Sequence, residues 1–220
     1  MNNLKTLLKR EFLLAFSNFS SIFTYFSFFL LALLIFIFSL GSEVEKLQTL
    51  HQPIVWVIFL FSLILISEHF VLEDFADGSL RELQFLGYSG ELIFYTKSIV
   101  MLIVVMIPNL FLIPISSVFF KIEFINIVDL SITIILAAPT LVLISLLSAF
   151  FSVQIKKNRF FQFIIIIPFF IPIIIFATSP YEKYGLFDFE QKFFILFGLF
   201  LITLPLSLIL GKLSIKEINN

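Results

Sequence analysis

Six stretches of this 220-residue chain stay apolar for the length of a bilayer: about 19–40, 53–70, 98–120, 130–153, 160–179 and 193–211. A helix needs about 20 such residues to cross the hydrocarbon layer. Backbone polar groups have no partner in lipid, so a spanning segment bonds internally as a helix or closes into a barrel. Barrel strands would show alternating segments of about ten residues, whereas these runs are continuous. The expected fold is an all-α polytopic membrane protein with six transmembrane helices, residues 1–220 forming one membrane domain. Composition agrees: 60% of residues are hydrophobic, 13% are charged and mean hydropathy is +1.12. Soluble domains are about 45–50% apolar and about 25% charged.

The basic residues predict direction. With both termini on one side, that side holds Lys5, Lys9, Arg10, Arg81, Lys97, Lys156, Lys157, Arg159, Lys212 and Lys216, while Lys46, Lys121, Lys183 and Lys192 fall on the other. The positive-inside rule then places both termini, and the segment 71–97, in the cytoplasm or matrix. Residues 2–17 read as an amphipathic helix lying in the inner interface, with Leu4, Leu7, Leu8, Phe12, Leu13 and Phe16 at helical spacing. Pro108, Pro114, Pro139, Pro168, Pro172 and Pro205 punctuate the spans, and Pro168/Pro172 marks the expected bend. Trp56 is expected at the membrane interface as an anchor. No cleavable leader is expected, because no short apolar stretch ends in a small-residue cleavage site.

What is missing narrows the chemistry. Span interiors are expected to be free of ionised groups, with Glu68 and Lys97 at span ends. Ion-coupled carriers use an intramembrane carboxylate or His, so that class is disfavoured. No phosphate-cradling G-x-x-x-x-G-K-[ST], no H-E-x-x-H and no G-x-S-x-G occurs. With no Cys, thiolate metal sites and disulfides are excluded. Net charge of −1 points away from nucleic acid. The chain reads as a non-enzymatic subunit with no catalytic residues and no resident metal.

One segment departs from this pattern. Glu68 to Leu83 carries five carboxylates in sixteen residues between two apolar runs: Glu68, Glu73, Asp74, Asp77 and Glu82. Asp77-Gly78 supplies a turn. Ser79-Leu80-Arg81-Glu82 fits the capping box S-x-x-E, and Gly87 fits a left-handed stop. The spacing predicts a short helix over roughly 79–86 on the cytoplasmic side. Its apolar edge is Leu80, Leu83 and Leu86; its acidic edge is Glu73, Asp74, Asp77 and Glu82. A docking helix for a cytosolic subunit and a solvated loop with an ordinary cap both fit these residues.

The same segment resembles the signature of the CcmB family, the permease subunits of the ABC complex for cytochrome c maturation. That family shows D-x-x-D-G-S-L-E-x-L, and the matching positions here are Asp74, Asp77, Gly78, Ser79, Leu80 and Leu83. The likeness extends to Arg10-Glu11 with Ala15-Phe16, Pro53-Ile54-Val55-Trp56-Val57, Pro139-Thr140, and Ile167-Pro168-Phe169-Phe170-Ile171-Pro172 through Thr178. The chain departs at Arg81, where the family has Glu; Glu82 follows one place later.

The resemblance implies an ABC-2-like permease paired with the ATPase subunit CcmA, beside CcmC, CcmD and the heme chaperone CcmE; pairing of two copies is left open. It implies ATPase docking through Glu73, Asp74, Asp77, Gly78, Ser79, Leu80, Glu82 and Leu83. It implies heme as a handled or transported ligand rather than a firmly bound cofactor. The function expected is coupling of the partner's ATP hydrolysis to heme delivery or to release of the heme-loaded chaperone, in a bacterial inner membrane or, alternatively, a mitochondrial one. A non-transporting scaffold of the same complex and an unrelated lipid or drug exporter permease are the competing readings. His51 and His69 are the two candidate heme ligands, each also read as a polar residue at a headgroup boundary.

Overall fold

The computed structural model describes residues 2–17, 20–41, 43–154, 159–178 and 189–217. Among them every regular element is a helix: α1 (Asn2–Ser17), α2 (Ser20–Leu40), α3 (Val44–Ala76), α4 (Ser79–Phe85), α5 (Gly90–Phe120), α6 (Phe124–Gln154), α7 (Arg159–Thr178) and α8 (Phe189–Glu217). The apolar runs form helices because nothing else satisfies their backbones in lipid. All seven prolines of α3 and α5 to α8, including Pro168 and Pro172, lie inside continuous helices.

Five helices, α2, α3, α5, α6 and α8, are long and apolar enough to cross a membrane, while Gln162–Thr178 of α7 is a shorter apolar helix. α3 and α6 form the middle of the bundle, 67% buried over their most apolar stretches, whereas the corresponding stretch of α8 is 11% buried. α6 packs against α3, α5, α7 and α8; α2 lies along α3 and α5; α1 packs chiefly on α5.

α3 and α5 overrun their expected spans. At 33 and 31 residues they measure about 50 and 46 Å, well beyond a hydrocarbon layer of about 30 Å. Pro53 therefore sits inside α3 rather than opening it. Trp56 is 1% exposed, packed edge-on to Phe59 with ring centroids 5.8 Å apart. It is a core residue, not the interface anchor its position in the sequence implied.

Candidate functional site

The acidic segment closes one end of the bundle as the tail of α3, the short α4 and the head of α5. α3 stops because Gly78 adopts φ +82, a conformation costly for any residue with a Cβ. That reversal makes Gly78 itself the N-cap of α4, and no side chain caps from that position. The expected capping box is thus not formed. Ser79 falls into the first turn, and its amide donates instead to Asp77 Oδ1 at 2.8 Å. The local Asx turn wins because Asp77 stands two residues ahead of that amide. At the far end Gly87, at φ +85, receives the helix as expected. The Tyr88 amide donates to the Leu83 carbonyl and the Gly87 amide to that of Gln84, the paired bonds of a left-handed helix stop.

α4 is fastened to its surroundings. Leu80 and Leu83 are buried. Gln84 Nε2 donates to the Ile215 carbonyl at the end of α8, 2.7 Å away. Lys212 of α8 pairs with Glu91 of α5 at 2.7 Å. Gly211 lies so close to the Phe94 ring that an added Cβ would come within 2.5 Å of it. α4 is therefore held by the end of α3 and, through Gln84, by the end of α8, which is itself packed on α5. Its tip points the other way: Phe85 is 88% exposed and Leu86 74%. Leu86 accordingly leaves the buried edge assigned to it beside Leu80 and Leu83.

The predicted acidic edge also divides. Glu73, Asp77 and Glu82 are exposed, but Asp74 is buried. It faces Lys97 of α5, which lies 2% exposed within the fold and bonds to Asp74 Oδ2. The Lys97 Nζ donates at 2.9 Å to Glu11 Oε2 of α1, itself 3% exposed. Arg10 completes the group, bonded to Glu11 and 3.7 Å from Asp74. Two carboxylates and two cations thus balance, tying α1 to α3 and α5. Asp74 is the counter-ion of Lys97 within the fold. Lys97, expected at a span end, is buried there, and its partners reach it from two other helices.

α1 is rotated relative to the expected apolar stripe. Leu7, Glu11 and Ala15 are its buried line, while Leu4, Phe12 and Leu13 are exposed. Beside the ion cluster a cavity of about 700 Å³ is lined by Glu11, Ala15, Phe70, Glu73, Asp77 and Lys97, among others. Burial works against ionisation of Asp77, but the Ser79 backbone and hydroxyl hydrogen bonds, with Arg10 and Lys97 nearby, outweigh it and hold its carboxyl below the ordinary 3.8.

This geometry sets up a discriminating pair of variants. Asp77→Ala removes the bond to the Ser79 amide and should lower stability by about 1 kcal/mol, read as a fall in melting temperature in detergent. Ser79→Ala should leave melting nearly unchanged. Because the folded pKa of Asp77 is depressed, its contribution is complete above about pH 3.8 and is lost as pH falls through the lower folded value. The Asp77→Ala penalty should therefore vanish in acid. A larger loss from Ser79→Ala would instead restore the capping box.

The two histidines separate. His51 is buried, 3.1 Å from Ser116 Oγ and packed on Phe120 with ring centroids 5.1 Å apart. His69 stands 3.3 Å from Glu73, one helical turn away, and is partly exposed. No cluster of three or more potential metal ligands occurs among the described residues.

Comparison with known proteins bears on what this end of the molecule does. The profile of the family described as CcmB protein matches residues 2–215. The chain belongs to the CcmB protein family. It is 28% identical over 181 residues to heme exporter protein B of Haemophilus influenzae, covering 82% of this chain and 81% of that protein. It is 32% identical to an uncharacterized protein of Rickettsia prowazekii over 100% of this chain and 99% of the relative. A Rickettsia conorii protein, also uncharacterized, is 30% identical over the same shares. The match runs over nearly the whole chain, in agreement with the resemblance carried by Asp74 to Leu83.

Within that assignment, sequence reasoning named Asp74 and Lys97 but not their contact, and it left Glu11 without a role. The signal was present: Leu7, Glu11 and Ala15 lie one turn apart on a single face. A carboxylate on a buried face requires a cation partner.

Proposed function

We propose that this chain is the membrane subunit through which a partner ATPase drives heme delivery, or release of a heme-loaded chaperone, during c-type cytochrome assembly. The observation that carries the reading is the pairing of an exposed apolar tip, Phe85 and Leu86, with a helix anchored to two long neighbours. A solvated loop would not be clamped at α3 and α8. A docking element needs that rigidity to pass a push into the bundle. The contact face comprises Phe85 and Leu86 with Glu73, Asp77, Glu82 and the Gly78–Ser79 turn. Leu80 and Leu83 support it from below, and Asp74 acts through Lys97. The ATPase, by the family resemblance CcmA, supplies the catalysis; CcmC, CcmD and CcmE complete the complex.

The same reading makes α7 the sixth span and puts both termini and α4 in the cytoplasm of a bacterial inner membrane. α1 then rests on the inner interface, its exposed Leu4, Phe12 and Leu13 in the headgroup boundary and Lys5 and Lys9 toward water. Cysteine labelling tests this in a chain without native Cys. Glu45→Cys and Glu123→Cys should react with an impermeant reagent from outside, and Glu82→Cys should not. Outside labelling of Glu82→Cys would reverse the topology. Lys157 and Lys183, which would serve as further markers, lie outside the described residues. Heme flux in vesicles holding this chain and its ATPase separates transport from release of the chaperone.

A further inference from the structure

Three polar atoms in the middle of the bundle have no hydrogen-bond partner among the described residues: Trp56 Nε1, Asn109 Oδ1 and Thr140 Oγ1. Their residues are 1%, 2% and 1% exposed. They come from α3, α5 and α6, three helices that all pack against one another.

Two contacts set their relative depth. His51 meets Ser116 at 3.1 Å, fixing the register of α3 against α5. Gln52 meets Asp129 at 3.2 Å, fixing α3 against α6. At 1.5 Å per residue, Trp56, Asn109 and Thr140 lie about 7.5, 10.5 and 18 Å from the His51 level, toward α4. All three therefore fall within about 10.5 Å of depth, inside the hydrocarbon layer. Ser62 Oγ, bonded at 2.8 Å to the Ile58 carbonyl, shares the level of Thr140. Asn109 Nδ2 is already used twice, by Tyr25 Oη at 2.7 Å and the Val105 carbonyl at 2.8 Å, so its orientation is fixed and its Oδ1 faces away from both.

An unpaired amide oxygen or indole N–H in a low-dielectric interior costs about 1–3 kcal/mol, and native structures leave few such groups unexplained. Here a donor (Trp56 Nε1), an acceptor (Asn109 Oδ1) and a hydroxyl that is both (Thr140) converge in depth. A ligand serving them must donate and accept, and it must be small enough to enter a packed helical bundle. We infer that Trp56, Asn109 and Thr140 form an internal hydration site, binding water between α3, α5 and α6 within the membrane. The site is independent of ATPase docking and of heme.

X-ray radiolytic footprinting of the full chain in nanodiscs tests it, because bound water is the local source of hydroxyl radical. Trp56 should be oxidised although it is buried, and the label should carry heavy oxygen after exchange into H2-18-O. Phe150, equally buried and packed on Phe94, should stay unlabelled. Thr140→Val, which removes the hydroxyl at nearly constant shape, should lower the Trp56 oxidation rate several-fold, and Thr140→Ser should keep it. A Trp56 rate no higher than background overturns the inference, as does one unchanged in Thr140→Val; either result would mean the three groups stay dry or pair with one another by helix motion.

Discussion

Lys97→Met should nearly abolish recovery of folded protein. The substitution keeps length and apolar stem but leaves Glu11 and Asp74 buried, 3% and 6% exposed, with only the partly exposed Arg10, bonded to Glu11 and 3.7 Å from Asp74, to balance them. Removing one member of a buried ion pair costs roughly 3–5 kcal/mol, a large share of the total stability of a domain. Loss should show first as separation of α1, since Glu11 is its polar tie to α5. The converse variant gives the argument its edge. Replacing Glu11, Asp74 and Lys97 together by Leu, Leu and Met should restore folding, because an apolar triad of similar volume avoids the desolvation cost altogether. Measured by size-exclusion profile and melting temperature in detergent, the single variant should be worse than the triple. If Lys97→Met folds like the unmodified chain, the three charges are not coupled and the cluster has no structural role.

The second large effect lies at the tip of α4. Phe85→Asp with Leu86→Asp should leave membrane insertion and melting temperature unchanged, because both side chains stand clear of the fold. It should abolish copurification of the ATPase and, with it, heme-stained c-type cytochrome in a complemented deletion strain. Hot spots of interfaces are enriched in aromatic anchors, and truncating one costs about 2 kcal/mol or more; introducing two carboxylates there adds desolvation. Arg81→Glu gives a graded companion. It restores the residue usual in the family at that position, so association should be retained. Loss of association there, with Phe85/Leu86 silent, would move the contact to the polar flank of α4.

How far the sequence carried the fold depends on which physical constraint each element obeys. The apolar runs were legible because lipid leaves a helix as the only way to satisfy the backbone. α4 was legible because Gly78 and Gly87 mark conformations that other residues avoid. Its cap was misassigned for a local reason: Asp77 and Glu82 compete for the Ser79 amide, and the turn at Gly78 leaves it with Asp77. The ends of α3 and α5 were invisible to hydropathy, since their overhangs are held by packing against α1, α4 and α8 rather than by lipid. The ion cluster was the largest omission. Its members are separated by 63 and 23 residues along the chain, from Glu11 to Asp74 and from Asp74 to Lys97. Only folding brings them within reach. The hint lay in the lone Lys97 within an apolar helix, where a cation needs a counter-charge.

Docking of the ATPase on α4 is tested most directly by photo-crosslinking from Leu86 in the assembled complex. A photoreactive amino acid at position 86 should give one dominant adduct with the ATPase subunit, formed in native membranes and lost when Phe85 is replaced by Asp. The same probe at Glu123, at the opposite end of the bundle, should give none. An adduct from Glu123 with the ATPase, or none from position 86 in a complex that still copurifies, would contradict docking on α4.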